Sequence, residues 1–245
     1  MIAVSFALPA ESREFVRALN NKSAANPNGV TTIRGMIGAR LIEVLHTGVG
    51  EKVCRQRVGK FLSALRSKET IQPNQQDQQV ACLISAGFAG ALNNDLQIGD
   101  LILAENFSTV NASETCRLIS NPRTHVANLL TIPALIDSPD ERNKLALISG
   151  AVAVDMETEF IARACATVGI PLLSLRVISD TPQHGFPGPA DVLFDIERQQ
   201  TRMLKLATHL LSHPSRVPRM IRFGGRIARA RKTLADALVE IVREV

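Results

Sequence analysis

The sequence predicts one α/β domain of three layers, in which a twisted mixed sheet lies between helices, with an extra amphipathic helix at the C-terminal end. Two observations support this fold class. Apolar runs of strand length recur along the 245 residues, and helical patterns fall between several of them. In addition, 45% of the residues are hydrophobic, which is enough for one substantial core and makes two full domains the poorer interpretation.

The elements follow from hydrophobic periodicity and from turn residues. Six segments are predicted as strands: Ile2–Leu8, Ala39–His46, Val80–Ser85, Asp100–Ala104, Ala151–Val154 and Pro171–Ile178. Four segments ahead of the C-terminal region are predicted as helices: Glu11–Leu19, Glu51–Ser67, Thr158–Val168 and Asp195–Leu211. The Gln-rich segment Glu69–Gln79 and the Gly- and Pro-rich segment His184–Pro189 are predicted loops, and residues 106–140 show no clear pattern.

Several classes of protein are disfavoured by composition. No apolar run reaches 18 residues, so we expect no membrane-spanning helix. The first residues lack a basic region ahead of their apolar stretch, and we interpret them as a buried strand and not as a secretion signal. The four cysteines and five histidines show no metal-ligand spacing, which predicts buried thiols in a reducing cytoplasm and no metal site.

Acidic side chains follow three of the predicted strands. Glu11 comes just after the first strand, Glu157 follows the apolar run that ends at Val154, and Asp180 closes the strand that begins at Pro171. In an open α/β sheet, ligands bind where the strands end at their carboxyl edge. Each acid alone has an ordinary explanation as a helix cap, a turn former or a first-turn residue. Their joint placement predicts one active site.

The C-terminal region carries the net charge of the chain. Pro214–Val245 contains eight basic and three acidic residues, whereas the remainder is neutral. Seven apolar residues repeat there at helical spacing: Met220, Phe223, Ile227, Ala230, Leu234, Leu238 and Ile241. Four arginines form a second stripe: Arg219, Arg222, Arg226 and Arg229. The pair Gly224-Gly225 weakens the helix and is a candidate hinge.

Two interpretations of this helix stay open. We favour a helix that packs on the body or on another subunit with solvated arginines. The alternative is an arginine-rich helix that lies on an anionic membrane surface. Nucleic acid is not an expected partner, because the helix lacks interleaved aromatic residues and the body is neutral.

The acidic motifs resemble those of a known family. Val154-Asp155-Met156-Glu157, taken with Arg176-Val177-Ile178-Ser179-Asp180, resembles the nucleoside phosphorylase family, which includes purine nucleoside phosphorylases and methylthioadenosine/S-adenosylhomocysteine nucleosidases. The glycine-rich segment Ala86–Leu92, the following Leu96–Leu101 and the turn Thr47–Gly50 are similar to further motifs in the same order. The resemblance implies a catalytic domain over residues 1–212 and a helical extension over 213–245. Within the family, the chain looks most like the hopanoid-associated phosphorylases, which act on adenosylhopane, a lipid with an adenosine head.

The resemblance implies a general acid. Cleavage of an N-glycosidic bond leaves negative charge on the departing base, so protonation of ring nitrogen N7 accelerates it. By resemblance this acid is Asp180, which must keep its proton near neutral pH, as burial favours. An Asp at this place, instead of an Asn, suits a base with an exocyclic 6-amino group, namely adenine.

The resemblance also implies which residues surround the sugar and the base. Glu157 is expected to accept hydrogen bonds from the ribose hydroxyls, and Met156 to pack against the sugar face. Ser179 and Arg176 are expected to position Asp180 or its loop. The expected binding surface also includes Asp155, Phe88, Ala89 and Gly90.

Water is the favoured nucleophile, and phosphate stays open. Phosphorolytic relatives carry an Arg two residues before the first glycine of the glycine-rich turn and a Ser directly after it, where this chain has Ser85 and Phe88. Nucleosidase relatives carry a Glu at the end of the first strand as general base, and Glu11 fits that place. Arg13 or Arg34 can still supply a phosphate site.

Two departures from the family bear on the substrate. Residues 135–140 contain no aromatic residue to cover the base, which leaves Phe88, Phe107 or aliphatic side chains for that role. Residues 107–138 form a shorter stretch than in soluble nucleosidases, and a shorter wall suits a bulky 5′ substituent. We therefore expect adenine release from adenosylhopane, with a methylthioadenosine/S-adenosylhomocysteine nucleosidase or purine nucleoside phosphorylase as alternative. A non-catalytic nucleoside-binding protein is a second alternative.

The expected partners follow from the same resemblance. We expect no cofactor, apart from inorganic phosphate as co-substrate in the phosphorolytic case. Relatives imply a homodimer or higher homo-oligomer whose partner side chains complete the pocket. The expected location is cytoplasmic, with peripheral contact on the inner membrane face through the basic helix as the alternative.

Overall fold

A computed structural model describes residues 1–71, 80–185, 194–195, 200–201 and 217–244 of the chain. Within these ranges ten strands form the central sheet: β1 (Ile2–Phe6), β2 (Asn20–Ala25), β3 (Thr32–Ile37), β4 (Arg40–His46), β5 (Cys82–Ala91), β6 (Leu101–Ala104), β7 (Thr124–Ala127), β8 (Leu129–Thr131), β9 (Ala153–Asp155) and β10 (Leu172–Asp180). The described α-helices are α1 (Pro9–Ala18), α2 (Glu51–Ile71), α3 (Ala112–Cys116), α4 (Pro139–Ser149), α5 (Thr158–Val168) and α6 (Val217–Glu244).

The sheet is mixed, as predicted. Its main path runs β2-β3-β4-β1-β5-β10-β6-β7, and β9 joins it through β5 and also pairs with β8. The four central strands β4, β1, β5 and β10 are parallel neighbours, whereas β10 and β6 are antiparallel. The parallel centre brings the carboxyl ends of β1, β5 and β10 to one edge of the sheet. The predicted α/β fold class is therefore confirmed.

Helices cover both faces of the sheet. Successive residues of β5 point to opposite faces, so Leu83 and Ile84 enter two different cores. On one face Ile84 packs with Phe15 of α1 and Leu234 of α6. On the other face Leu83 packs with Phe61 of α2 and with residues of α5. Because both faces are covered, every residue of β1 and of β10 is buried, which gives the three-layer arrangement.

Local signals set the helix ends that frame the site. The Ser138 side chain accepts a hydrogen bond from the Glu141 amide at 3.4 Å, and Pro139 occupies the first turn of α4. Gly150 caps the C-terminus of α4 and Gly169 that of α5, with φ of 67° and 72°, a left-handed conformation that favours glycine. The short strand β9 lies between these two helices and leads directly into Glu157 at the start of α5.

The C-terminal helix packs on the body. α6 contacts α1, β10 and β3, and four residues of the predicted apolar stripe are fully buried: Ala230, Leu234, Leu238 and Ile241. The helix runs through Gly224-Gly225 without a break, so the predicted weak point is not a hinge in this structure. Among the described residues, no helix is both long and apolar enough to cross a membrane.

Several sequence expectations are corrected. The sequence does not predict β2 at the sheet edge, its neighbour β3, the small strands β7 and β8, or helices α3 and α4, because these segments are short or lack clear apolar periodicity. The helix predicted over Asp195–Leu211 is wrong where the chain is described, since Phe194–Asp195 (β11) pairs with Gln200–Thr201 (β12) in a small antiparallel hairpin. The rest of that segment, and residues 186–189 of the predicted loop, lie outside the described residues. The loop predicted over Glu69–Gln79 is wrong at its start, because α2 continues to Ile71, and its residues 72–79 also lie outside the described residues.

Candidate active site

A small cavity opens where β1 and β5 approach the first turns of α1 and α5. Its volume is about 10 Å³, which is space for about one water molecule. Its walls combine two glutamates, one arginine, hydroxyl groups and two aromatic rings. The lining residues are Ser5, Phe6, Ala7, Glu11, Thr47, Ser85, Ala86, Gly87, Phe88, Glu157, Ile161 and Arg176.

Glu11 enters this cavity from the first turn of α1. Its Oε2 accepts hydrogen bonds from the backbone amides of Ala7 at 3.0 Å and Leu8 at 3.2 Å, where β1 gives way to the helix. Burial nevertheless raises the pKa of Glu11 to about 7, and the two backbone hydrogen bonds and Arg176 only partly oppose that rise. A carboxyl that titrates near neutrality can accept a proton during a reaction.

Glu157 enters from the opposite wall. It precedes α5 and accepts a hydrogen bond from the Gly50 amide at 3.0 Å, so the Thr47–Gly50 turn fixes its orientation. Burial, with the neighbouring Asp155 charge as second cause, raises the pKa of Glu157 to about 8. Glu11 adds to this rise, because two carboxylates near one cavity disfavour each other's charge.

Arg176 lies under the cavity and is fully engaged. Its Nε donates to Asp155 Oδ2 at 3.0 Å, one terminal nitrogen donates to the Ser85 carbonyl at 2.7 Å, and the other donates to Ser85 Oγ at 2.9 Å and Thr158 Oγ1 at 2.6 Å. Asp155 also accepts from Thr131 Oγ1 at 2.7 Å. This buried network holds the start of α5 against β5 and β10, so Arg176 supports Glu157 and Asp155 and has no described contact with Asp180.

Asp180 occupies a neighbouring environment. A bulge in β10 at Ser179 brings Asp180 opposite Gly90, and Ser179 Oγ donates to Asp180 Oδ1 at 2.7 Å. The other carboxylate oxygen accepts a hydrogen bond from the Arg142 guanidinium, and both side chains are 3% exposed. A Cβ at Gly90 would lie 3.0 Å from Asp180 Oδ2, so only glycine leaves room for this pair.

Arg142 is the site residue that the sequence interpretation missed. It comes from α4, which was not predicted, and it also donates to the carbonyls of Ala91 at 2.9 Å and Ile136 at 2.8 Å. The signal that could have found it is Ser138-Pro139, a helix start that places the fourth helical residue near the sheet edge.

The structure thus divides the predicted site residues into two groups. Glu11, Glu157, Arg176 and Phe88 line the cavity, and Asp155 lies directly behind Arg176. The second group lies around Arg142 and consists of Asp180, Ser179, Ala89 and Gly90. Gly90 is three residues beyond Gly87 of the cavity lining, which is about 10 Å along β5. Met156 is partly exposed between β9 and α5 and lines neither group.

The candidate phosphate ligands lie elsewhere. Arg34 forms a pair with Glu43, with donor–acceptor distances of 2.9 and 3.0 Å, and Arg13 is exposed on α1. Neither side chain lines the cavity. Within the described ranges no group of three or more His, Cys, Asp or Glu side chains is arranged to hold a metal ion, and all four cysteines are unpaired.

Comparison with known proteins places the chain in a family. The family model described as the phosphorylase superfamily matches residues 1–117 and 109–212, which is most of the chain. The chain therefore belongs to the phosphorylase superfamily. The expectation of an enzyme from the nucleoside phosphorylase and nucleosidase group is confirmed at this level.

Individual relatives are distant in sequence and similar in fold. A 5′-methylthioadenosine/S-adenosylhomocysteine nucleosidase of Staphylococcus epidermidis is 23% identical over 224 residues, which cover 80% of this chain and 91% of that protein. The structure of the corresponding nucleosidase from S. pneumoniae is 17% identical with a TM-score of 0.67, covering 99% of this chain and 98% of the other. A futalosine hydrolase structure from Helicobacter pylori is 16% identical with a TM-score of 0.69, covering 100% and 99%.

Proposed function

We propose that the protein hydrolyses the N-ribosyl bond of a 5′-substituted adenosine and releases adenine. One observation carries this proposal: two carboxyl groups with raised pKa values, Glu11 at about 7 and Glu157 at about 8, face one cavity at the edge of the sheet. Raised pKa values at a concave site are typical of proton-transfer chemistry. A protein that only binds nucleosides has no need for such groups, so we rank that alternative lower.

The proposed reaction assigns one role to each acid. Glu11 takes a proton from water as the water oxygen bonds to C1′ of the ribose. Glu157 accepts hydrogen bonds from the ribose hydroxyls. The N9–C1′ bond breaks, its electron pair goes to the purine, and Asp180 supplies a proton to N7. The products are neutral adenine and a free 5′-substituted ribose. Glu11 then releases its proton to solvent and Asp180 takes one up from solvent, which restores the enzyme.

The Arg142 contact adds a step to substrate binding. Both oxygens of the Asp180 carboxylate are occupied, one by Ser179 and one by Arg142. We infer that the purine displaces the Arg142 guanidinium from Asp180 as it binds, and that the carboxylate freed from its ion pair takes up the proton that it later supplies to N7. Ser179 keeps the carboxyl oriented during the exchange. In this role Arg142 is a positioning residue, and Met156, Phe88 and the backbone of Ala89 and Gly90 are proposed to contact the nucleoside.

Water is favoured over phosphate as the nucleophile, because the arginine that lines the cavity already donates its hydrogen bonds to the protein. Arg176 is the one cation among the described residues that line the cavity, and its three guanidinium nitrogens already donate to protein oxygens. A phosphate co-substrate needs fixed positive charge and free donors. The hydrolytic reaction therefore suits this cavity better.

The 5′ substituent is inferred from the family resemblance and from the C-terminal helix. We retain adenosylhopane as the favoured substrate, because the chain resembles the hopanoid-associated group most and carries a basic C-terminal helix. Methylthioadenosine or S-adenosylhomocysteine is the alternative, and the nucleosidase relatives support it. Any membrane contact of α6 would involve its first turns, where Ile221 is 70% exposed, because its later apolar residues are buried. We also propose a cytoplasmic homo-oligomer.

Two assays test the proposal. Purified protein is incubated with methylthioadenosine or adenosylhopane, with and without phosphate, and adenine and sugar products are quantified. We expect equal adenine release in both conditions and free 5′-substituted ribose as the sugar product. A 1-phosphosugar formed only with phosphate would contradict hydrolysis, and faster turnover of the small thioether would contradict the lipid substrate. No release from either substrate, combined with tight binding of adenosine analogues, would contradict an enzyme.

A further inference from the structure

A second and larger cavity lies between α6 and the sheet edge, apart from the cavity that contains Glu11. Its volume is about 650 Å³, within the range of small-ligand sites. Three chain segments and the middle of α6 form its walls. The lining residues are Asn94, Leu96, Gln97, Ile98, Gly99, Asn121, Arg123, Thr181, Gln183, His184, Arg226, Arg229, Ala230 and Thr233.

The described lining is basic and rich in hydrogen-bond donors. It contains three arginines and one histidine, and no aspartate or glutamate. Arg123 is neutralised, because it donates from two nitrogens to the buried Asp100 carboxylate. Arg226 and Arg229 have no carboxylate partner among the described residues. The positive charge of the cavity therefore comes mainly from these two side chains on α6.

Other cations of the same helix provide an internal comparison. Lys232 donates to Asp236 at 2.6 Å, and Arg231 donates to the Ala10 carbonyl at 2.9 Å and lies 3.8 Å from Glu14. These two side chains do not line the cavity, and both have partners. Arg226 and Arg229, spaced three residues apart on one face, are close like charges that destabilise a helix unless an anion compensates them.

We infer that this cavity binds a small polyanionic ligand that carries phosphate groups. Arginine suits phosphate because its planar fork donates two parallel hydrogen bonds. The neutral side chains Asn94, Gln97, Asn121 and Gln183 add amide donors around the same space. A small ligand fits better than a membrane surface, since the site is concave and polar and the apolar residues of α6 beside it, Ala230 and Leu234, are buried in the protein.

The cavity is also adjacent to the candidate active site. Thr181, which lines it, directly follows Asp180 and forms a tight turn with His184, whose amide donates to the Thr181 carbonyl at 2.9 Å. The inference does not depend on the proposed nucleosidase reaction, because none of the lining residues has a role in that reaction.

Inorganic pyrophosphate is the probe, and isothermal titration calorimetry of the full chain measures its affinity. The double variant Arg226→Gln/Arg229→Gln is compared with Arg243→Gln, which removes an exposed arginine of the same helix outside the cavity. We expect wild type and Arg243→Gln to bind equally, and the double variant to bind at least about tenfold more weakly, or about 1.4 kcal/mol. Without ligand, the double variant should melt no lower than wild type, because two neighbouring like charges are removed.

A second arm separates the sources of phosphate. Vesicles of phosphatidylglycerol and phosphatidylcholine are tested by co-sedimentation with the same three proteins. Pyrophosphate binding that depends on Arg226 and Arg229, without vesicle binding, supports the inference. Absence of pyrophosphate binding, equal binding by all three proteins, or binding only to anionic vesicles would overturn it.

Discussion

Two acidic environments lie near each other along β5 and differ in how their charge is compensated. Around Glu11 and Glu157, the one cation among the described lining residues is Arg176, which already donates to Asp155, Ser85 and Thr158. Burial dominates there, and both pKa values rise. Around Asp180, by contrast, a dedicated arginine and a serine hydroxyl satisfy the carboxylate.

The difference teaches how one sheet edge can hold acids with distinct roles. A buried carboxyl without a free cation nearby favours its neutral form. Such a group can exchange protons near neutral pH, and its ionisation lowers the stability of the folded protein. A buried ion pair is different, because each partner holds the other in place and removal of one leaves an unpaired charge. The comparison therefore predicts opposite effects on stability for substitutions in the two environments.

The largest expected effect on activity is that of Glu11→Gln. Loss of the general base should lower kcat by roughly 10² to 10⁴. Steady-state assays of adenine release measure this change. Glu14→Gln, which changes a partly exposed glutamate of the same helix that pairs with Arg17 and does not line the cavity, is the matched control and should retain nearly full activity. Comparable losses in both variants would assign the effect to α1 and not to Glu11.

The same variant should change stability with a defined pH dependence. Because the pKa of Glu11 rises from 4.5 to about 7 on folding, the folded state binds its proton more tightly than the unfolded state. The resulting stabilisation is complete below pH 4.5 and is lost as pH rises through 7. Glutamine does not titrate, so Glu11→Gln does not lose stability in this way. Between pH 4.5 and 7 the unfolding free energy of the variant should therefore rise by roughly 1–3 kcal/mol relative to that of wild type, as measured by denaturant unfolding. A Glu11→Gln protein that becomes relatively less stable towards alkaline pH would contradict the comparison.

The second largest effect is expected at the ion pair. Asp180→Asn or Arg142→Met alone should cost about 3–5 kcal/mol in unfolding free energy, because each leaves a buried charge unpaired. The double variant Arg142→Met/Asp180→Asn should recover much of this loss. Adenine release should fall in Asp180→Asn and stay low in the double variant, which separates the chemical role of Asp180 from its structural one. Additive stability losses would show that the pair is not coupled.

Glu157→Gln is expected to have a smaller effect, mainly on substrate binding. The amide can still accept from the Gly50 amide but interacts more weakly with ribose hydroxyls, so KM should rise about tenfold with a smaller change in kcat. Initial rates against substrate concentration measure the two parameters. A loss confined to kcat would instead assign Glu157 to the chemical step.

How far the sequence predicts this fold depends on the length of each element. Elements that are long or strongly apolar can be identified from their periodicity. These are the strands β1, β4, β6 and β10 and the helices α2 and α5. β2, β3, β7 and β8 are short, exposed or polar, and tertiary pairing decides them. The C-terminal helix was predicted from its spacing, and its burial on α1 and β10 agrees with the favoured interpretation.

The site was predicted less completely than the fold. Acids at strand ends identified Glu11, Glu157 and Asp180, because a parallel sheet gathers such positions at one edge. The Arg142 contact was not predictable, since it joins α4 to β10 across 38 positions and depends on the bulge at Ser179. The ion pair of Arg176 with Asp155 was not predicted either, because the sequence does not show whether the arginine pairs with Asp155 or with Asp180.

The smallest expected effect concerns a buried hydroxyl beside Glu11. Ser5 lines the cavity, is 1% exposed, and its Oγ has no hydrogen-bond partner among the described residues. Ser174 on β10 is equally buried and also lacks a described partner, but it does not line the cavity. Both pair in register with Ser85 on β5, so they form a matched comparison.

Replacing either serine by alanine removes an unsatisfied polar group, so both variants should unfold within about 1 kcal/mol of wild type or be slightly more stable. If Ser5 Oγ contacts water or the ribose during turnover, Ser5→Ala should lower kcat/KM about three- to tenfold, whereas Ser174→Ala should not change it. Equal activity in both variants would restrict the reactive cavity to its two glutamates.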